Sequence, residues 1–177
     1  NLIESQQVVD VVMDYNIEEK AGEYPLLIYP EWNSISESLK KQLLTYVGNG
    51  GNLIVIGPKN AKLFENELRI KLLDQPEVKN NALSYNDFYG NVYSFSQPVK
   101  LSDEVESFGK YNTKGLEDKE GLNIAASIAH YGKGKIAGVY LELGERYTEA
   151  ATPASRDFLA AIIRELFTDP IVEVKGS

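Results

Sequence analysis

The sequence predicts an α/β fold with a mainly parallel β-sheet, and three observations support this prediction. Residues 25–29 and 52–56 are almost continuously apolar, as is typical of strands that are covered by helices on both faces. A capped amphipathic helix separates the two runs, and a glycine-rich turn at residues 48–51 follows the helix. Strand, helix, turn and strand together form a βαβ unit.

The first half of the chain is assigned in order. Residues 8–13 are a β-branched run that predicts a buried strand, and residues 25–29 predict the next strand. Ser34 and Glu37 have the spacing of a capping box and predict the start of the helix. The apolar positions of this helix recur every four residues, at Ile35, Leu39, Leu43 and Val47.

The second half is less regular. Residues 61–73 have a helical apolar pattern. Residues 74–121 are polar, with scattered aromatic side chains and turn signals, and predict short strands and loops that form an insertion or embellish the sheet edge. Residues 123–131 and 136–143 predict a hairpin closed by the glycine turn at 132–135.

The last predicted element is a helix with Thr152 as its N-cap and Pro153 at its first position, ending at Asp169 and Pro170. Residues 1–177 are therefore interpreted as one domain. Its predicted form is a flavodoxin-like three-layer sandwich with a mainly parallel sheet, a C-terminal antiparallel hairpin and an irregular insertion at 74–121.

Composition excludes several classes of function. The chain has 26 acidic and 18 basic residues, a formal net charge of −8, which argues against nucleic-acid partners and anionic membrane surfaces. It contains no cysteine and a single histidine, so thiol nucleophiles, thiolate metal sites and multi-histidine metal sites are excluded. We expect no cofactor and no metal, whereas carboxylate chemistry passes this filter.

Polar residues follow the strand ends, where ligands collect in open parallel sheets. Three loops should meet there, at residues 30–33, 57–60 and 144–149. The candidate ligand-binding residues in them are Glu31, Trp32, Lys59, Asn60, Glu145, Arg146 and Tyr147. The simpler interpretation is that the charged residues pair with each other and that the indole packs against a neighbour.

Two alternatives assign these residues a function. Glu31 and Glu145 are the pair that would suit carboxylate-based glycoside hydrolysis, although two acids near one sheet edge are expected by chance in so acidic a chain. Trp32 is the only tryptophan and could centre a sugar-binding module. His130 lies within a predicted strand without a serine or cysteine motif nearby, which favours a surface or sheet residue over a general base.

A family resemblance lies in three consecutive segments. Residues 24–31 (YPLLIYPE), 43–51 (LLTYVGNGG) and 52–57 (NLIVIG) resemble the class I glutamine amidotransferase-like fold. The likeness is closer to the trimerisation-type domain of beta-galactosidases and related bacterial glycoside hydrolases. Residues 131–135 and the terminal helix look like the closing segments of that group, so the likeness covers residues 8–58 and 123–175.

The chain lacks the catalytic residues that the resemblance implies. The resemblance implies a cysteine after the strand that ends at Ile56, but Gly57 and Pro58 follow. It implies His-Pro-Glu after the strand that ends near Leu143, but residues 144–147 read GERY. Glutamine hydrolysis is therefore excluded, and the domain is expected not to be an enzyme.

The resemblance implies a non-catalytic accessory domain of a bacterial glycoside hydrolase, which packs against other domains, forms homo-oligomers or contributes a loop to a carbohydrate cleft. It also implies a periplasmic or secreted location, with the cytoplasm left open. Because the chain begins at Asn1 and ends in a strand-like run at 171–177, we expect it to be a piece of a longer multidomain chain. The first strand of the fold is then either missing or supplied from elsewhere.

Overall fold

The computed structural model describes residues 9–32, 34–144 and 153–167. The described helices are α1 (Ile17–Lys20), α2 (Glu37–Gly48), α3 (Pro58–Leu63) and α4 (Pro153–Leu166), with 3-10 turns at Asp14–Asn16, Ala21–Glu23 and Lys119–Gly121. The described strands are β1 (Leu26–Tyr29), β2 (Asn52–Ile56), β3 (Ile70–Leu72), β4 (Glu77–Tyr85), β5 (Phe88–Ser96), β6 (Val99–Leu101), β7 (Glu106–Asn112), β8 (Asn123–Tyr131) and β9 (Gly134–Val139).

The fold is mixed α/β around a seven-stranded sheet in the order β1-β2-β9-β8-β7-β4-β5, with β3 and β6 paired separately. Strand β2 is parallel to both β1 and β9, whereas the other four pairings in this sheet are antiparallel. The prediction of a mainly parallel sheet is therefore not confirmed. The reason is that residues 74–121, expected to be irregular, contribute three long strands, of which β4 pairs antiparallel with both β5 and β7.

Both faces of the sheet carry a hydrophobic core. Along β2, Leu53 and Val55 face one cluster, whereas Ile54 and Ile56 face the other. Helices α2 and α3 supply side chains to the first cluster and α4 to the second. This two-sided burial explains why residues 52–56 are apolar throughout.

The sheet also curls back on itself. The backbone N–H of Glu142 donates to the carbonyl of Phe95 at 3.0 Å, and the N–H of Gln97 donates to the carbonyl of Tyr140 at 2.9 Å. These bonds join the end of β5 to the segment that follows β9. The flavodoxin-like layering is not confirmed, because a flavodoxin-like sheet stays open whereas this one bends toward closure.

Three local predictions are wrong. Residues 9–13 form no strand and Val11 is 81% exposed, because none of the described strands pairs with this segment. The helix expected over 61–73 ends at Leu63, and Arg69 at φ +53° turns the chain into β3. The N-cap of α2 is Ser36, not Ser34, since its hydroxyl accepts the Leu39 N–H at 3.1 Å.

The other elements agree with the sequence. Strands β1 and β2, helix α2, the β8–β9 hairpin and helix α4 lie where they are predicted, although β9 begins and ends earlier. Val8, Thr152, Asp169, Pro170 and residues 171–177 lie outside the described residues. Within the described ranges, no helix is long and apolar enough to cross a membrane.

Candidate functional site

The candidate site lies where the three parallel strands end. Because β1, β2 and β9 run in the same direction, the loops that follow them meet at one edge of the sheet. These loops are residues 30–32, 57–60 and 140–144, which coincide with or adjoin the regions selected from the sequence. The first two of these loops are among those predicted from the sequence, whereas the third predicted loop, residues 144–149, has only Gly144 within the described residues.

Glu31 connects two of these loops. Its Oε1 accepts the backbone N–H of Leu143 at 2.5 Å and that of Gly144 at 3.0 Å, and its Oε2 lies 3.2 Å from the Gly144 nitrogen. Hydrogen bonds from backbone amides to a carboxylate are charge-assisted and stronger than neutral ones. Glu31 therefore acts as a clamp between the end of β1 and the end of the β9 segment.

Gly57 makes room for this clamp. It directly precedes α3 and has a backbone φ of +94°. Residues other than glycine rarely adopt this conformation. A Cβ at this position would lie 3.1 Å from Cγ of Glu31 and 3.8 Å from Cγ of Glu142. The positive φ and the proximity of Glu31 are therefore two structural reasons for glycine at position 57.

Asn60 forms hydrogen bonds to the ends of two strands of the site. Its side chain is buried, and its Nδ2 donates to the carbonyl of Ile56 at 2.9 Å and to the carbonyl of Pro30. Ile56 is the last residue of β2 and Pro30 directly follows β1. The Asn60 amide holds the ends of the two strands together. Asn60 therefore positions the two strand ends, and its role as a ligand contact stays a prediction.

Trp32 and Lys59 are the exposed members of the site. The Trp32 side chain is 64% exposed, although its backbone N–H donates to the carbonyl of Pro30 at 2.6 Å and fixes the turn. Lys59 is also exposed, on the first turn of α3. A large exposed indole on a fixed turn is suited to contact another molecule or domain.

The remaining candidates are Glu145, Arg146 and Tyr147, and all three lie outside the described residues. The catalytic pair of Glu31 with Glu145 therefore stays a prediction. His130 is exposed on β8, where it pairs with Lys135 of β9. This agrees with a surface sheet residue.

Sequence reasoning missed one residue of this edge, Glu142. It is only 5% exposed, and its Cγ lies close to Gly57. The signal was present, because residues 139–143 read VYLEL and place one acid within a buried apolar run. An acidic residue inside a buried apolar run is unusual, and this signal marks Glu142 as a candidate site residue.

The described part of the chain contains no group of three acidic or histidine side chains that could hold a metal ion. The described site contains the hydrogen-bonded carboxylate of Glu31, the buried acid Glu142, the buried amide of Asn60 and the exposed indole of Trp32. The first three hold loops or lie in the core, so among the described candidates only Trp32 and Lys59 face outward.

No protein-family model matches this chain. No curated protein matches it either.

Solved structures do share its fold. The GH42 beta-galactosidase Gan42B from G. stearothermophilus matches with a TM-score of 0.65 and 19% identity, over 90% of this chain and 24% of that protein. The alpha-L-fucosidase isoenzyme 2 from Paenibacillus thiaminolyticus matches with a TM-score of 0.71 and 14% identity, over 93% and 28%. The chain thus spans about a quarter of the length of each glycoside hydrolase.

The fold also occurs in smaller proteins. The Salmonella typhimurium protein STM1381 matches with a TM-score of 0.67 and 11% identity, over 93% of this chain and 84% of that protein. STM3548 from the same organism matches similarly, and both are named as cytoplasmic proteins. The prediction of a periplasmic or secreted location is contradicted by these two neighbours. At such identities the likeness concerns the fold, which this chain shares with glycoside hydrolase segments and with small proteins.

Proposed function

We propose that this chain is a non-catalytic accessory domain of a bacterial glycoside hydrolase, built on an amidotransferase-like fold whose catalytic residues are absent. The observation that carries the proposal is the coverage of the fold match. Almost the whole chain matches, but it corresponds to only 24% of the beta-galactosidase and 28% of the fucosidase. A domain of that size leaves most of the parent protein to carry the chemistry.

The state of the site supports a non-catalytic role. Glu31 is the acid best placed for chemistry, but its carboxylate accepts hydrogen bonds from two backbone amides. A nucleophile or general acid has to reach the substrate with one of these oxygens. The cysteine that glutamine hydrolysis requires is absent from the entire chain.

The exposure of Trp32 favours one specific accessory role over simple packing. An indole that is 64% exposed beside a clamped loop can stack against a sugar or another domain. We therefore propose that the loop at residues 30–32 contributes to a carbohydrate cleft or to an interface with the catalytic domain. Homo-oligomerisation is a further role open to this surface.

The experiment that tests the proposal assays the 177-residue chain with a panel of aryl glycosides and with glutamine. We expect no turnover above the uncatalysed rate. Turnover that disappears in the Glu31→Gln variant would favour the carboxylate hydrolase instead.

A second experiment tests the role of Trp32. Because it is the only tryptophan, its fluorescence reports on this loop alone when the 177-residue chain is titrated with oligosaccharides. A saturable change that is absent with mannitol, a non-cyclic polyol control, would support a direct sugar contact. No change across the panel would leave domain packing as the role of this loop.

A further inference from the structure

The first strand of the sheet has an open edge among the described residues. Strand β1 is the end of the seven-stranded order and pairs only with β2 in this part of the chain. Its four residues, Leu26–Tyr29, are Leu-Leu-Ile-Tyr, without charge or proline. Natural sheets protect their edges with short strands, lysine, proline, bulges or a covering element. Strand β1 is short and Pro30 follows it, but the backbone of its apolar residues can still pair with another strand.

The direction of the unpaired backbone groups follows from one hydrogen bond. The Asn52 N–H donates to the carbonyl of Pro25, so Pro25 directs its carbonyl toward β2. Because successive residues of a strand direct their N–H and C=O groups to opposite sides, Leu27 and Tyr29 also face β2. Leu26 and Ile28 therefore direct theirs to the open edge.

An exposed apolar row lies in the same region. Val9, Val11 and Met13 are 42%, 81% and 52% exposed, at alternate positions of a segment without regular secondary structure. The hydroxyl of Tyr24, two residues before β1, donates to Asp10 of this segment at 2.5 Å. An open strand edge and an uncovered apolar row beside the same tyrosine suggest one missing neighbour.

Charge indicates what kind of neighbour fits. Residues 9–29 contain five acids and one lysine, a net charge of −4 out of the chain's −8. A second copy that paired edge to edge would bring two such acidic segments together, which like-charge repulsion disfavours. A neutral or basic strand would not meet this repulsion.

We propose that the open edge of β1 accepts one extended, apolar strand with basic flanking residues, supplied by another part of the parent protein. The backbone of Leu26 and Ile28 would bind it by β-strand addition, and its apolar side chains would cover the row at residues 9–13. The inference rests on the proposed function in so far as it treats the chain as one domain of a larger protein.

Hydrogen–deuterium exchange, resolved to single amides by fragmentation, tests the inference in the 177-residue chain and in the full-length parent protein. In the chain alone, the amides of Leu26 and Ile28 should exchange at least about tenfold faster than those of Leu27 and Tyr29. In the parent all four should be slow. The amides of β2, which has a neighbour on each side, are the matched control and should be slow in both.

Three outcomes overturn the inference. Fast exchange of Leu26 and Ile28 in the parent would mean that the edge stays open. Slow exchange in the chain alone would mean that its own termini cover the edge, and protection that rises with protein concentration would mean a second copy. A parent without glycosidase activity but with four slow β1 amides would refute the proposed function and leave this inference standing.

Discussion

The Glu31 carboxylate accepts the backbone N–H of Leu143 at 2.5 Å, across 112 positions of sequence. Through this contact, Glu31 connects the end of β1 to the segment after β9. It also explains the glycine at position 57, whose missing side chain leaves space for Glu31. Glu31 thus joins two strand-end loops, one of which carries the exposed Trp32.

Replacing Glu31 tests the strength of this junction. Glu31→Ala leaves the N–H groups of Leu143 and Gly144 without their acceptor, which should lower the free energy of unfolding by about 1–3 kcal/mol. Glu31→Gln keeps one carbonyl oxygen and should cost less. Urea denaturation measures both, with the exposed Glu106→Ala as control. Equal effects of Glu31→Ala and Glu106→Ala would contradict the clamp.

Replacing Gly57 separates backbone strain from crowding. Gly57→Ala should destabilise the chain by about 1–3 kcal/mol through its positive φ, and further through the 3.1 Å approach to Glu31. Gly115 is the matched control, because it has φ +99° but a Cβ added there would meet no atom within 4 Å. In a Glu31→Ala background the crowding is relieved, so the costs at the two glycines should converge. If Gly57→Ala costs no more than Gly115→Ala in the wild-type background, the close approach has no energetic weight.

Tyr46 makes the stability of the fold sensitive to high pH. Burial raises the pKa of Tyr46 to about 12 from 10.0, and its hydroxyl donates to the carbonyl of Tyr24 at 2.9 Å. The unfolded chain ionises first, so the stabilisation is complete below pH 10 and is lost as pH rises toward 12, by about 1–2 kcal/mol.

The measurement is urea denaturation at pH 9 and pH 11 for the wild type and for Tyr46→Phe. The variant lacks this ionisation, so its stability should fall less over the interval. Burial also raises the pKa of Tyr111 and Tyr140, which remain in both proteins and contribute equally. Tyr89→Phe, at an exposed position, should follow the wild type. An identical pH dependence of the wild type and Tyr46→Phe would refute the assignment.

The elements predicted well from sequence are those whose signal is local or fully buried. Strand β2 is apolar on both faces because it contacts two cores, and the two-residue turn at Gly132 defines the β8–β9 hairpin. Residues 9–13 are rich in valine and have the local signal of a strand. They form no strand because strand formation also requires a partner, which a local pattern cannot supply.

Long-range pairing decides the rest. In β5 the exposed Tyr89 and Tyr93 alternate with the buried Val92 and Ser94, so the strand reads as a polar stretch with scattered aromatics. At the site, the sequence predicted that the loops after β1 and β2 lie together, because parallel strands end at one edge. It could not predict that Glu31 binds backbone amides, because that bond depends on how a distant segment curls.

The function proposed above requires that the chemistry of the parent enzyme lies outside this domain. It is tested most directly by the kcat of the full-length parent protein with Glu31→Gln, measured on its own glycoside substrate. A non-catalytic Glu31 predicts a kcat within about twofold of the wild type, since the substitution acts only on a loop junction. A fall of about a thousandfold or more in a folded variant, as expected for the loss of a catalytic acid or base, would contradict the claim.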